Sequence, residues 1–230
     1  MQTKSDLKVI AKIYTDFKEK FGIPRQSGLT PTLESRIVFE PKYRNDDALR
    51  GIEEFSHLWL IWGFSENPTS DKFMPTVRPP RLGGNRKMGV FATRSPFRPN
   101  PIGLSSVKLL RLEKTNEGTV LIVSGADMLS GTPIYDIKPY LPYTDIHNDA
   151  KGGFGSERLF YKLKVDFPEN LLSLIPENKR EGLMELLSED PRPSYIEDEE
   201  RIYGFNFAEF EVKFKVTGNT LKVISVEKEK

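Results

Sequence analysis

The chain has 230 residues, 37% of them hydrophobic and 29% charged, with a formal net charge of +1; these are ordinary values for a globular protein with a packed core. It has no cysteine, which excludes disulfides and thiolate metal sites and suits a reducing compartment, and its two histidines are too few for an imidazole-based metal centre, so no metal is expected. Met1–Tyr14 lacks the apolar core of a signal peptide, and no run approaches the roughly 18 apolar residues of a membrane span, so a cytoplasmic protein without membrane association is expected.

Alternating and β-branched or aromatic residues predict strands over Leu7–Tyr14, Leu33–Phe39, Phe55–Phe64, Gly89–Arg94, Gly103–Leu112, Thr119–Ser124 and Thr132–Pro139. Proline and glycine clusters such as "RQSGLTPT", "VRPPRLGGN" and "SGTP" separate them, and "NDDALRGIEEF" offers one short helical turn. Many short strands with little helix predict a mainly β fold, an antiparallel barrel of one sheet that leaves no exposed edge. Residues 1–148 are assigned to this barrel. The polar, glycine-rich stretch Tyr143–Arg158 contains a linker, placed at 149–156. Residues 157–230 then read as a small C-terminal α+β domain. In it, "RLFYKLKV" is a strand, "PENLLSLIPENKREGLMELLSED" is helical, and "FNFAEFEVKFKVTGNTLKVISVE", with Phe210, Val212, Phe214 and Val216 alternating, is a hairpin about Gly218-Asn219.

Charge is unevenly distributed. Lys72–Arg111 holds nine basic residues and no acid, whereas Glu185–Glu211 holds nine acids against Arg192 and Arg201. The basic span suits a polyanion, although surface charges can also balance in three dimensions. Within it, "FATRSPFRPNPIG" places three prolines around Arg94, Arg98 and Asn100. Proline fixes φ and restricts the residue before it, so such a loop presents its guanidinium forks at low entropic cost. No GxGxxG or P-loop order is present, so a nucleotide-like ligand would have to be held by something other than a doubly wound sheet. His57, Trp59 and Trp62 in "GIEEFSHLWLIWGF" read as core residues. Asp136 fits two roles equally: a base or orienting group beside the cationic loop, or one member of a buried pair with Lys138 or an arginine.

The stretches "GIEEFSHLWLIWGF", "TVRPPRLGGNRKMGVFATRSPFRPNPIGLS", "DMLSGTPIYDIKPYLP" and "DPRPSY…YGF" together resemble the TsaA-like family in its TrmO-type tRNA methyltransferase branch, over nearly the whole chain. The resemblance implies a single-sheet β-barrel that binds S-adenosylmethionine without a Rossmann fold and works as a homodimer, with the cofactor near the subunit interface. It implies methyl transfer to N6 of threonylcarbamoyladenosine at tRNA position 37, beside the anticodon. Carried over by motif, the cofactor contacts are Gln26, Ser27, Gly28, Glu66, Asn67, Arg94, Leu104, Ser124, Gly125, Ala126 and Asp127.

Such a transfer is an in-line displacement governed by alignment, and the attacking nitrogen must lose a proton. Asp136 is the first candidate to orient or deprotonate it. Arg78, Arg81, Arg86, Arg98, Asn100, Lys138 and Arg192 are the expected contacts to the tRNA anticodon stem-loop. Two other classes fit the same residues: a non-catalytic RNA-binding barrel, and a relative that methylates a different acceptor.

Overall fold

The computed structural model describes residues 7–66, 73–79, 86–156, 161–192 and 198–229. Six of its strands are β1 (Ala11–Tyr14), β2 (Glu34–Phe39), β3 (His57–Gly63), β6 (Ile102–Thr115), β7 (Gly118–Ser124) and β8 (Thr132–Pro139). They are ordered β1-β2-β7-β6-β3-β8, every neighbour is antiparallel, and β1 also pairs with β8, so the sheet closes on itself. Period-2 alternation decides which residues fill the barrel. Gly103, Ser105, Val107 and Leu109 of β6 point inward, whereas Ile102, Leu104, Lys108 and Leu110 point out. The interior is packed by Ile13, Ile37, Leu58, Leu60, Trp62, Val107, Leu121, Val123, Met128 and Ile134.

One predicted strand is mostly something else. In Gly89–Arg94 only Gly89 is extended and paired: β4 (Thr76–Val77) and β5 (Met88–Gly89) form a two-stranded hairpin, and Val90–Ala92 is a 3-10 turn. The Thr93 hydroxyl donates to the Val90 carbonyl at 2.8 Å, a local bond that competes with a ladder. Val90 is buried while Phe91 is 71% exposed, so no sheet face is there for the alternation to cover. Trp59 also departs from its expected core position. It lies half-buried on the outer face, where its indole N–H donates at 2.8 Å to Asp145 in the short helix α1 (Pro142–Asp145). The same carboxylate accepts the Leu141 N–H, and these two bonds hold the Asp145 pKa below its ordinary value.

The second half contains β9 (Lys164–Asp166), β10 (Tyr203–Phe207), β11 (Phe210–Thr217) and β12 (Thr220–Lys228), ordered β10-β11-β12-β9 with β9 parallel to β12. Strands β11 and β12 form the expected hairpin, with Thr217 opposite Thr220 across Gly218-Asn219. The helical stretch is divided into α2 (Glu169–Leu172) and α3 (Glu177–Ser188), because Pro176 is extended between them and begins the second helix as its cap.

This half does not build its core alone. Phe17 and Leu33, with Phe21 and Ile23 beside them, pack into the cluster of Leu183, Leu187, Phe205, Phe207, Phe214 and Val223. Phe17 bridges to Phe207, the Phe21 ring meets Phe205 edge-on at 6.3 Å, and the Ala208 N–H donates to the Asp16 carbonyl. The segment between β1 and β2 therefore serves as a wall of the C-terminal domain. Among the described residues, no helix is long and apolar enough to cross a membrane.

Candidate active site at one end of the barrel

Strand β7 ends at Ser124, and the chain turns through Gly125 at φ +78°. The Gly125 carbonyl accepts the Gly28 N–H at 2.8 Å. A side chain on Gly125 would place Cβ 3.1 Å from the Gly28 backbone, in a left-handed conformation that disfavours L residues, so glycine is what allows these two loops to meet. Arg94 joins them from the proline-rich loop, its guanidinium donating to the Gln26 side-chain carbonyl. Gln26–Gly28, Arg94 and Ser124–Asp127, distant in sequence, thus form one cluster.

Asp127 is its titratable centre. Its carboxylate accepts from the Ser105 hydroxyl at 2.6 Å, and the Ser105 oxygen accepts the Trp62 indole N–H at 3.0 Å. Burial raises the Asp127 pKa; the Ser105 bond, its own N–H, the nearby Arg94 charge and the Ser27 N–H oppose that rise without cancelling it. Beside it lies a cavity of about 220 Å³ walled by Trp62, Phe64, Pro96, Met128 and Leu129, with Asp127, Glu66 and Lys20 at its border. The Lys20 ammonium donates to the Glu66 carbonyl, which brings Glu66 to the same end of the barrel. A larger, open groove of about 580 Å³ lies on the C-terminal sheet and contains no member of this cluster.

Ser105 was not singled out from the sequence, and Trp62 was read there only as a core residue. A signal for Ser105 existed: alternation in β6 puts it inward between Gly103 and Val107, and a hydroxyl buried in a barrel needs a partner.

Other expected residues lie elsewhere. Leu104 is 55% exposed on the outer face, opposite to Ser105. Asp136 lies on that outer face too, in one cross-strand row with Ile61 of β3 and Leu104 of β6. It pairs with Lys138 at 2.8 Å and accepts the Ile137 N–H at 2.9 Å; the partner is the expected one, but the pair lies exposed on the barrel surface rather than buried. Arg78 and Arg86 are exposed on the β4–β5 hairpin. Arg98 donates to the Thr93 carbonyl at 3.2 Å, and the Asn100 carbonyl accepts the Ile102 N–H at 2.8 Å, so both residues help fold the loop. Arg192 is gripped by both carboxylate oxygens of Asp190, and a phosphate would have to compete with them. Asn67 and Arg81 lie outside the described residues. His57 stands at the far end of β3, its Nδ1 2.9 Å from the Ser56 hydroxyl.

Comparison with known proteins gives the family. Residues 12–146 match the tRNA-methyltransferase O N-terminal domain, and residues 161–229 match the TrmO C-terminal domain. The chain is 39% identical over 226 residues to an Escherichia coli protein named tRNA (adenine(37)-N6)-methyltransferase, covering 95% of this chain and 96% of that one. It is 41% identical over 211 residues to a putative S-adenosylmethionine-dependent methyltransferase of Pseudomonas aeruginosa, covering 88% and 89%. The crystal structure of TrmO from P. aeruginosa superposes with a TM-score of 0.79 at 31% identity over 99% of both chains. With both domain families matched in order and full-length relatives well above 30% identity, the chain belongs to the TrmO family.

Proposed function

We propose that the chain is an S-adenosylmethionine-dependent methyltransferase that methylates N6 of adenosine 37 in tRNA, with threonylcarbamoyladenosine as the acceptor. The observation that carries this reading is the meeting of Gln26–Gly28, Arg94 and Ser124–Asp127 through the Gly28–Gly125 bond. The chemistry of these groups suits the cofactor. A guanidinium matches its carboxylate, a buried carboxylate matches its cationic or hydroxyl groups, and the Trp62–Phe64–Met128 wall suits an apolar or planar portion. When bound, the cofactor supplies a methyl group activated on a sulfonium.

The protein's own contribution is alignment. Glycine loops tied backbone to backbone, and an arginine fixed on Gln26, reduce the freedom a ligand must remove on binding. Leu104 and Asp136 lie on the opposite side of the barrel wall from Asp127, so one protomer cannot readily bring both sets to one ligand. We assign them to the site across a homodimer, with the outer face of one protomer meeting the loop cluster of the other. Asp136, released from Lys138, would orient or deprotonate the attacking nitrogen there.

Incubation with methyl-labelled S-adenosylmethionine and bulk tRNA, followed by nucleoside mass spectrometry, tests the reading. The expected product is a methylated threonylcarbamoyladenosine; label confined to another nucleoside refutes the acceptor, and tRNA binding without transfer leaves only an RNA-binding barrel. Asp136→Asn is expected to lower transfer with tRNA affinity intact. Full transfer by that variant would remove Asp136 from the chemistry.

A further inference from the structure

The β4–β5 hairpin carries an exposed aromatic pair that neither the fold nor the cofactor cluster uses. Phe73 and Phe91 are 54% and 71% exposed, yet their rings stack with centroids 6.2 Å apart and planes 26° from parallel. Large aromatic side chains normally bury most of their surface, so an open stacked pair needs an explanation.

The pair is rigidly mounted. Val90, 1% exposed, anchors the base of the hairpin and donates its N–H to the Pro75 carbonyl at 2.9 Å. Phe91 then sits in the 3-10 turn closed by Thr93. Three residues further on is Arg94, which is bonded to Gln26; such a span reaches at most about 11 Å, so the Phe91 backbone lies within that distance of the Arg94 backbone. The hairpin also exposes Arg78, Arg86 and Lys87, and no acid occurs between Phe73 and Leu112.

We propose that Phe91, backed by Phe73, is a stacking platform for an unpaired base of the RNA substrate next to the methylated nucleotide. This rests on the tRNA reading given above. Flat aromatic faces interleaved with cations are how proteins hold single-stranded RNA: rings take bases, and lysines and arginines take the flanking phosphates. The same patch on a second copy of this chain is the poorer occupant. About a two-fold axis through the patch, Arg78, Arg86 and Lys87 would face their own copies, whereas RNA brings the complementary charge.

The test measures binding of a synthetic anticodon stem-loop RNA against salt, with 2-aminopurine beside adenosine 37. Phe91→Ala is expected to weaken binding between about 5- and 150-fold, to leave the salt slope unchanged and to alter the 2-aminopurine signal. Arg86→Ala is expected to lower the slope by about 1. Phe91→Trp should bind like the wild type. Phe91→Leu, which keeps apolar bulk without a π-face, should weaken binding as alanine does.

Wild-type affinity in both Phe91→Ala and Phe91→Leu overturns the platform, as does a changed sedimentation coefficient at unchanged RNA affinity, which would assign the rings to a protein contact. Wild-type protein that fails to bind the stem-loop overturns it as well. If the wild type binds RNA in a Phe91-dependent way but transfers no methyl group, the enzyme reading fails and the platform stands. Transfer with no Phe91 dependence of binding gives the reverse.

Discussion

At the residue scale, Asp127 couples stability to pH in a direction the geometry fixes. Its folded pKa is raised by burial, so between the ordinary aspartate value and the raised one the folded state holds more protons than the unfolded state. Stability from this group is therefore full at low pH and is lost as pH rises through that window; at neutral pH the fold bears the cost of a buried charge. Asp127→Asn keeps the shape and can still accept from Ser105. It should gain stability relative to the wild type on going from about pH 3.5 to pH 7, near and above the ordinary aspartate range. Urea midpoints of both proteins at the two pH values check this, and a difference that is flat or of opposite sign would show that the carboxylate is not desolvated. The same substitution is expected to reduce methyl transfer, the usual conflict between a stable site and an active one. Family motifs marked Asp127 and its loop in the sequence as candidate cofactor contacts. The Trp62–Ser105–Asp127 chain was not legible there, because it joins three strand-associated positions whose register no local pattern reveals.

At the element scale, alternation was enough to find the six barrel strands but not to bound them. β6 runs on to Thr115, and β1 starts only at Ala11, since ladder length depends on what the neighbour offers. Helix α3 shows how tertiary packing overrides a local preference. Gly182 lies in its interior, where glycine costs about 1 kcal/mol relative to alanine. A Cβ there would stand 2.3 Å from the Leu33 side chain, and Leu33 is only 4% exposed and has little room to yield. Overpacking costs about 1–3 kcal/mol. Gly182→Ala is thus expected to lose about 1 kcal/mol net despite its better helix propensity. In a Leu33→Ala background the worst contact is gone and only the Thr32 hydroxyl oxygen, 3.1 Å away, has to give slightly, so the same change should become stabilising by up to about 1 kcal/mol. Urea denaturation of the four proteins in this cycle measures both signs. An unchanged sign in the second background would mean that the helix is not seated on Leu33.

At the scale of the whole molecule, the question is whether barrel and C-terminal domain are separable. Sequence patterns place a boundary near 149–156, because composition changes there, but they cannot show that Asp16–Leu33 closes the second core. The contacts joining the two parts are varied. Phe17, Phe21 and Leu33 are apolar, the Lys179–Asp16 pair at 2.5 Å is mostly buried, and the Arg25 guanidinium bonds the Asp190 and Arg192 carbonyls at 3.0 and 2.7 Å. Arg25 directly precedes Gln26, so the C-terminal domain fixes the root of the loop that Arg94 grips. Both tryptophans of the chain, Trp59 and Trp62, are in β3, so tryptophan fluorescence reports the barrel alone. Phe205, 1% exposed in the C-terminal core and in ring contact with Phe21, is the site at which to perturb the other part. Truncating a buried phenylalanine to alanine costs about 3–5 kcal/mol, a large share of the 5–15 kcal/mol typical of a whole domain. If the two parts unfold as one unit, Phe205→Ala will lower the fluorescence midpoint in urea as far as the far-UV circular dichroism midpoint, and S-adenosylmethionine affinity will fall with them as the Gln26 loop loses its tether. A fluorescence midpoint that stays at the wild-type value while the dichroism transition splits would show instead that the barrel stands alone.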